Sequence, residues 1–129
     1  MYMYKIFITE DEETLAEIYA ERFKRQGFDV FVFKNGLEMI QHLGDDTPDV
    51  ILLDLKMPEM DGYEVLETIH KNFSDIQKKN VKVIVWSNSN NESEVQKALS
   101  AGAIAYLRKI DYSGDDLVEK VKEILKKTE

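Results

Sequence analysis

Cysteine is absent from the 129 residues, which removes disulfides and thiolate metal sites and makes the cytosol the natural default compartment. No apolar run approaches the length of a membrane span. The opening segment, Met1 to Ile8, is briefly apolar but runs into Glu10-Asp11-Glu12-Glu13. It lacks the basic start, longer apolar centre and small-residue cleavage site of a secretory signal. A basic surplus is missing too: 17 basic against 25 acidic residues give a net charge of −8. Such a surface repels a phosphate backbone, so direct nucleic-acid binding is disfavoured. The basic runs Lys78-Lys79 and Lys126-Lys127 read as solvated helix ends, where positive charge is favourable. Repeats, low-complexity segments and linkers are likewise missing, and the length suits one domain over 1–129.

What the chain does contain is a strict alternation of short apolar runs and amphipathic stretches. Tyr4 to Thr9 predicts a strand, followed by a helix carrying Leu15, Ile18, Tyr19 and Phe23 and stopped at Gly27. Phe28 to Phe33 predicts a second strand. Asn35 is placed to cap a short helix with Leu37, Ile40 and Leu43, ended by Gly44. Val50 to Leu53 is continuously apolar, as in a strand buried on both faces. Asp61 is placed to cap a third helix with the stripe Val65, Leu66, Ile69 and Phe73, while Ser74 to Asn80 either extends it or forms a turn. Val81 to Trp86 predicts a fourth strand, Val95, Ala98 and Leu99 a helix closing at Gly102, and Ala103 to Leu107 a fifth strand. Ser113 then caps a last helix with Leu117, Val121, Ile124 and Leu125. Five strand–helix units in this order imply an α/β fold, a parallel sheet with helices on both faces.

Open parallel sheets bind ligands beyond the carboxyl ends of their strands. Those ends carry Glu10-Asp11, Asp54, Ser87 and, soon after the fifth strand, Lys109. Three neighbouring carboxylates repel one another unless a cation intervenes, and an all-oxygen cluster suits magnesium. The hydroxyl and ammonium are then available for the oxygens of a phosphate. Asp54, at the mouth of the central strand, is the best candidate for a carboxylate nucleophile. Singly, each residue has an ordinary reading: helix-start acids, a turn aspartate, a turn serine and a surface lysine. Their joint placement at four strand ends carries the argument.

At these residues the chain resembles the receiver domain of two-component response regulators along essentially its whole length. The segment from Pro48 through Asp54, Met57-Pro58 and Asp61-Gly62 is similar to that family's phosphoacceptor stretch. Tyr4 to Glu12 resembles its first strand and acidic pair, and Ser87, Tyr106 and Lys109 fall at its hydroxyl, switch aromatic and lysine positions. The resemblance implies a flavodoxin-like five-stranded sheet of order 2-1-3-4-5. It also implies a stand-alone, non-enzymatic switch whose Asp54 takes a phosphoryl group from a histidine kinase or phosphotransfer protein. Asp11, Asp54 and the Lys56 carbonyl would hold Mg²⁺, or Mn²⁺, with Glu10 acting largely through water. Ser87 and Lys109 would contact the phosphoryl group, and Tyr106 would remodel the face of helix four, strand five and helix five toward an output protein. The assembly implied is a monomer or a phosphorylation-dependent dimer. Tyr106 reads equally well as a static core aromatic.

Several residues depart from the family pattern. Ile110 stands where proline is usual after the lysine, so a trans or rearranged loop is expected there. Asn88 follows Ser87 where a small residue is usual, and Trp86 before it is bulky. Lys56, two residues past the acceptor, leads us to expect slow self-dephosphorylation, and a short measured half-life would contradict this. Lys56 also opposes a haloacid-dehalogenase-type phosphatase, which needs an aspartate there. Glu10 to Glu13 oppose a flavin-phosphate loop after the first strand. The alternative of substance is a receiver fold that binds partners without being phosphorylated. His42 and His70, on helices without metal-ligand companions, read as structural.

Overall fold

The apolar run Val50–Leu53 forms β3, and all four of its residues are buried, as a strand covered on both faces requires. The computed structural model describes residues 3–56, 62–72, 81–89 and 91–128. Around β3 stand β1 (Tyr4–Thr9), β2 (Phe28–Phe33), β4 (Lys82–Ser87) and β5 (Ala105–Arg108). All neighbours pair in parallel, in the order β2-β1-β3-β4-β5, so the expected flavodoxin-like topology is present.

Alternation along the strands divides the core into two layers. Ile6, Ile8, Val50, Leu52, Ile84 and Trp86 face α1 (Glu13–Arg25) and α5 (Gly114–Lys127), where they meet Phe23, Leu117, Val121 and Leu125. Phe7, Ile51, Leu53, Val83 and Val85 face the other way, toward α2 (Gly36–Leu43), α3 (Gly62–Asn72) and α4 (Glu92–Ser100). Each buried side chain of this size contributes roughly 1.5–3 kcal/mol of apolar burial. The sheet is thereby fixed as a rigid platform whose carboxyl edge presents the site.

Helix boundaries follow local chemistry. Asn35 accepts from the Glu38 N–H (2.8 Å) to cap α2, and Ser113 accepts from the Asp116 N–H (3.3 Å) to cap α5. Gly27 and Gly102, with φ of +93° and +115°, close α1 and α4 in the left-handed region.

Some expectations shift. In α2 the buried positions are Gly36, Met39 and Leu43, whereas Leu37 is 44% exposed. The flexible methionine fills the space under the sheet edge that the stripe had assigned to leucine. β5 begins at Ala105 and not Ala103, because the Ala103 N–H is still bonded to the Ala98 carbonyl of the preceding helix (3.1 Å). In α4 only Ala98 is buried, and Leu99 is 38% exposed. β4 runs one residue later than expected, through Ser87. The expected cap Asp61, the stripe residue Phe73, the segment Ser74 to Asn80 and the Lys78-Lys79 run lie outside the described residues.

Candidate functional site

The strand order reverses between β1 and β3, and the acids follow those two strands directly. Glu10 is 4% exposed, its N–H continuing the ladder to the Phe33 carbonyl (3.0 Å) and its Oε2 accepting from the Glu12 N–H (3.3 Å). Asp54 is 7% exposed and is seated from beneath by Thr9. The Thr9 hydroxyl donates to the Leu52 carbonyl (3.4 Å) and accepts from the Asp54 N–H (3.1 Å). The Asp54 Oδ1 accepts from the Lys56 N–H (3.0 Å), which fixes the carboxylate's rotamer.

Lys109 closes the site from β5. Its Nζ lies 2.8 Å from Asp54 Oδ2 and 3.2 Å from Glu10 Oε1. Directly after β5 ends at Arg108, one 3-10 turn, Lys109–Asp111, opens with this lysine, an element the sequence had not indicated. Among the described residues no peptide bond is cis, so the bond before Ile110 is trans, as expected where proline is missing. Ile110 itself is 75% exposed.

Burial is the largest influence on both partners, and the outcomes differ. Desolvation raises the Glu10 carboxyl, and the nearby Lys109 charge and the Glu12 N–H only partly reverse it. Desolvation pulls Lys109 downward, but the hydrogen bond and charge of Asp54, with the charge of Glu10, outweigh it and hold the ammonium above its ordinary range. Asp54 and Glu10 thus favour the charged form of Lys109 beside the acceptor.

Carboxylate oxygens of Glu10, Asp11 and Asp54 all lie within 4.8 Å of one another, with Asp11 exposed on the rim. This all-oxygen, net acidic donor set fits a hard dication that retains several waters. The arrangement supplies a nucleophilic carboxylate, a metal-compatible cluster and an ammonium for phosphate oxygens.

Ser87 closes β4 beside the acceptor end of β3, where Leu53 pairs with Val85 two residues earlier. It is buried at the end of β4, and its Oγ accepts from the Ser89 N–H (3.4 Å). The carbonyl of the same Ser89 accepts from the half-buried Tyr106 hydroxyl (3.2 Å). Ser89 thus joins the hydroxyl and aromatic positions through its two main-chain polar groups. Sequence reasoning missed Ser89, read as turn chemistry, and Thr9, read only as a strand end. Trp86 has room because it points into the layer beneath α1 and α5, against Tyr19 and Tyr112 (ring centroids at 5.8 and 6.2 Å). Asn88 is exposed. His42 packs on Phe7, Phe31 and Phe33, in keeping with a structural role.

Residues 6–122 match the response regulator receiver domain family, and the chain belongs to it. It is thus a receiver of two-component signal transduction. The fold is shared with the receiver domain of the Francisella response regulator 1452, at 26% identity and a TM-score of 0.84, covering 98% of this chain and 99% of that one. A CheY-like receiver domain protein from Methanospirillum hungatei is 27% identical, with a TM-score of 0.85 and coverage of 96% and 94%. A DNA-binding response regulator of the LuxR family from Staphylococcus aureus is 28% identical, with a TM-score of 0.83 and coverage of 95% and 99%. No helix among the described residues is long and apolar enough to cross a membrane.

Proposed function

We propose that this receiver is a phosphorylation-dependent switch with Asp54 as its acceptor, and that its donor is a histidine kinase or a histidine phosphotransfer protein. One observation carries the reading. The Lys109 ammonium sits 2.8 Å from Asp54 Oδ2, inside a cluster of acids at the sheet's switch point. An interaction scaffold gains nothing from burying these charges together, whereas phosphoryl transfer needs each of them.

In the proposed reaction an Asp54 carboxylate oxygen attacks phosphorus, the P–N bond of phosphohistidine breaks, and the imidazole nitrogen keeps the electron pair. An acyl phosphate results. Lys109, already positioned on the carboxylate, neutralises a phosphoryl oxygen, and Thr9 holds the Asp54 backbone while charge moves. Glu10, Asp11, Asp54 and the Lys56 carbonyl would hold Mg²⁺, which when bound offsets the charge gathering on the phosphoryl oxygens.

The output would follow from the Ser87–Ser89–Tyr106 chain of hydrogen bonds. A new acceptor above Ser87 would draw its hydroxyl away from the Ser89 N–H, and the main chain at Ser89, whose carbonyl holds Tyr106, would then be free to turn. This would alter the α4–β5–α5 face toward a downstream protein.

Incubation with acetyl phosphate and Mg²⁺, followed by intact-mass measurement, tests the reading. One phosphoryl adduct on the wild type, absent from Asp54→Asn and from a chelated sample, is expected. Absence of any adduct while a control receiver is labelled would instead favour a receiver fold that binds partners unphosphorylated.

A further inference from the structure

We propose that Tyr63 is a positioning residue that couples the acceptor end of β3 to α4 by a route separate from Ser87 and Tyr106. The inference rests on the reading of Asp54 as the acceptor.

The route starts at Leu55, directly after Asp54. The Gly62 N–H donates to the Leu55 carbonyl (3.0 Å). A Cβ on Gly62 would lie 2.6 Å from the Leu55 Cα and 3.1 Å from the Asp54 carbonyl oxygen, so the first residue of α3 is pressed against the acceptor's own backbone. Neither can shift without the other. Tyr63 is the next residue, and its hydroxyl donates to the main-chain carbonyl of Glu94 in the first turn of α4 (3.1 Å). The Lys97 ammonium, one turn further along α4, lies 4.1 Å from the Tyr63 ring centroid, over the ring's negative face.

Among the described residues the other attachments of α4 are modest: Ala98 is its one buried side chain, Val95 is half-buried and Leu99 is largely at the surface. A helix anchored in this way takes its position in part from directional contacts, and Tyr63 supplies two of them. Motion of the β3 end on phosphorylation would therefore reach α4 through α3 as well as through Ser89.

Amide hydrogen exchange across α4 tests this, with wild type, Tyr63→Phe and Lys97→Met compared free and with beryllofluoride and Mg²⁺ as the phosphoryl stand-in. In free Tyr63→Phe, α4 should exchange about fivefold faster, the effect of one lost hydrogen bond of ordinary strength, with α5 unchanged. The change that beryllofluoride produces in α4 should also shrink relative to wild type. Lys97→Met, which keeps the hydroxyl bond, should act in the same direction to a smaller extent. Unaltered α4 exchange and an unaltered beryllofluoride response in Tyr63→Phe, or equal acceleration of α4 and α5, would overturn the proposal. Failure of the folded wild type to bind beryllofluoride, read by fluorine NMR, would overturn the acceptor reading and this inference with it.

Discussion

Replacing Gly62 by alanine tests how tightly the acceptor is gripped. The added methyl would sit 2.6 Å from both the Cα and the Cδ2 of Leu55. Carbon atoms prefer about 3.5–4.0 Å, so one partner must yield by roughly 1 Å. The Leu55 side chain can rotate, but its Cα belongs to the backbone that follows Asp54. Overpacking of this kind costs about 1–3 kcal/mol. Gly62 lies outside the left-handed region, so alanine suffers no backbone strain, and the stiffer unfolded chain returns about 0.4–1 kcal/mol. The net expectation is a loss of about 1–2 kcal/mol, or a Tm lower by roughly 4–8 °C for a domain of this size. Gly27→Ala is the matched control. Its φ of +93° makes alanine strained by about 1–2 kcal/mol, yet beyond its chain neighbours no atom of the described residues lies within 4 Å of the new methyl. Urea titration should show both variants destabilised. Acetyl phosphate labelling should separate them. A 1 Å displacement of a reacting group can cost on the order of 100-fold, and Gly62→Ala should label at least about tenfold more slowly than Gly27→Ala. Equal labelling, or wild-type stability in Gly62→Ala, would refute the claim that α3 and the acceptor backbone are locked together.

Two further expectations concern the acids. Asp11→Asn removes one of three clustered charges and with it two repulsions; at separations up to 4.8 Å and water-like screening these amount to about 1–2 kcal/mol, so the metal-free variant should melt higher than wild type and lose the stabilisation given by Mg²⁺. Melting curves in chelator and in Mg²⁺ check both halves. Glu10 has a raised carboxyl in the folded state, so folding favours its protonated form. That contribution is full below the ordinary glutamate range and is lost as pH rises through the raised value. Chelated wild type should accordingly gain stability over Glu10→Gln as the solution is made mildly acidic. A flat difference, or one of opposite slope, in urea titrations across that range would count against the burial argument.

Much of the architecture was legible because each layer left its own mark. β1, β2 and β3 matched their expected runs residue for residue; for β3 this is because a strand buried between helix layers has little choice but to be apolar, whereas the edge strand β2 keeps Asp29 and an exposed Val32. Amphipathic periodicity located α1 and α5, although in α1 the buried residues are Ala16, Ala20 and Phe23 and Ile18 of the expected stripe is exposed; Asn35 announced the cap of α2 and Ser113 that of α5. Legibility failed where tertiary context decided. Leu37 and Met39 are both apolar, and only the shape of the sheet edge selects which is buried. The start of β5 depends on a capping bond from Ala103 to α4 that no periodicity encodes.

At the site, residue types at strand ends brought Glu10, Asp11, Asp54 and Lys109 to one pocket, because parallel strands share their carboxyl edge. Thr9 and Ser89 were not legible as site residues. Their contributions are made by one hydroxyl and two main-chain groups, and such groups carry no distinctive residue signature. The Tyr63 contact to Glu94 belongs to the same class, a side chain meeting a main-chain carbonyl across 31 residues.

The most direct test of the central claim is to locate the phosphoryl group chemically. An acyl phosphate, unlike a phosphoester, is reduced by borohydride to an alcohol, which would convert the acceptor aspartate to homoserine. After labelling with acetyl phosphate and Mg²⁺ and reduction, peptide sequencing by mass spectrometry should find homoserine at position 54 and nowhere else. Homoserine at position 11, or an adduct that resists borohydride, would contradict the account.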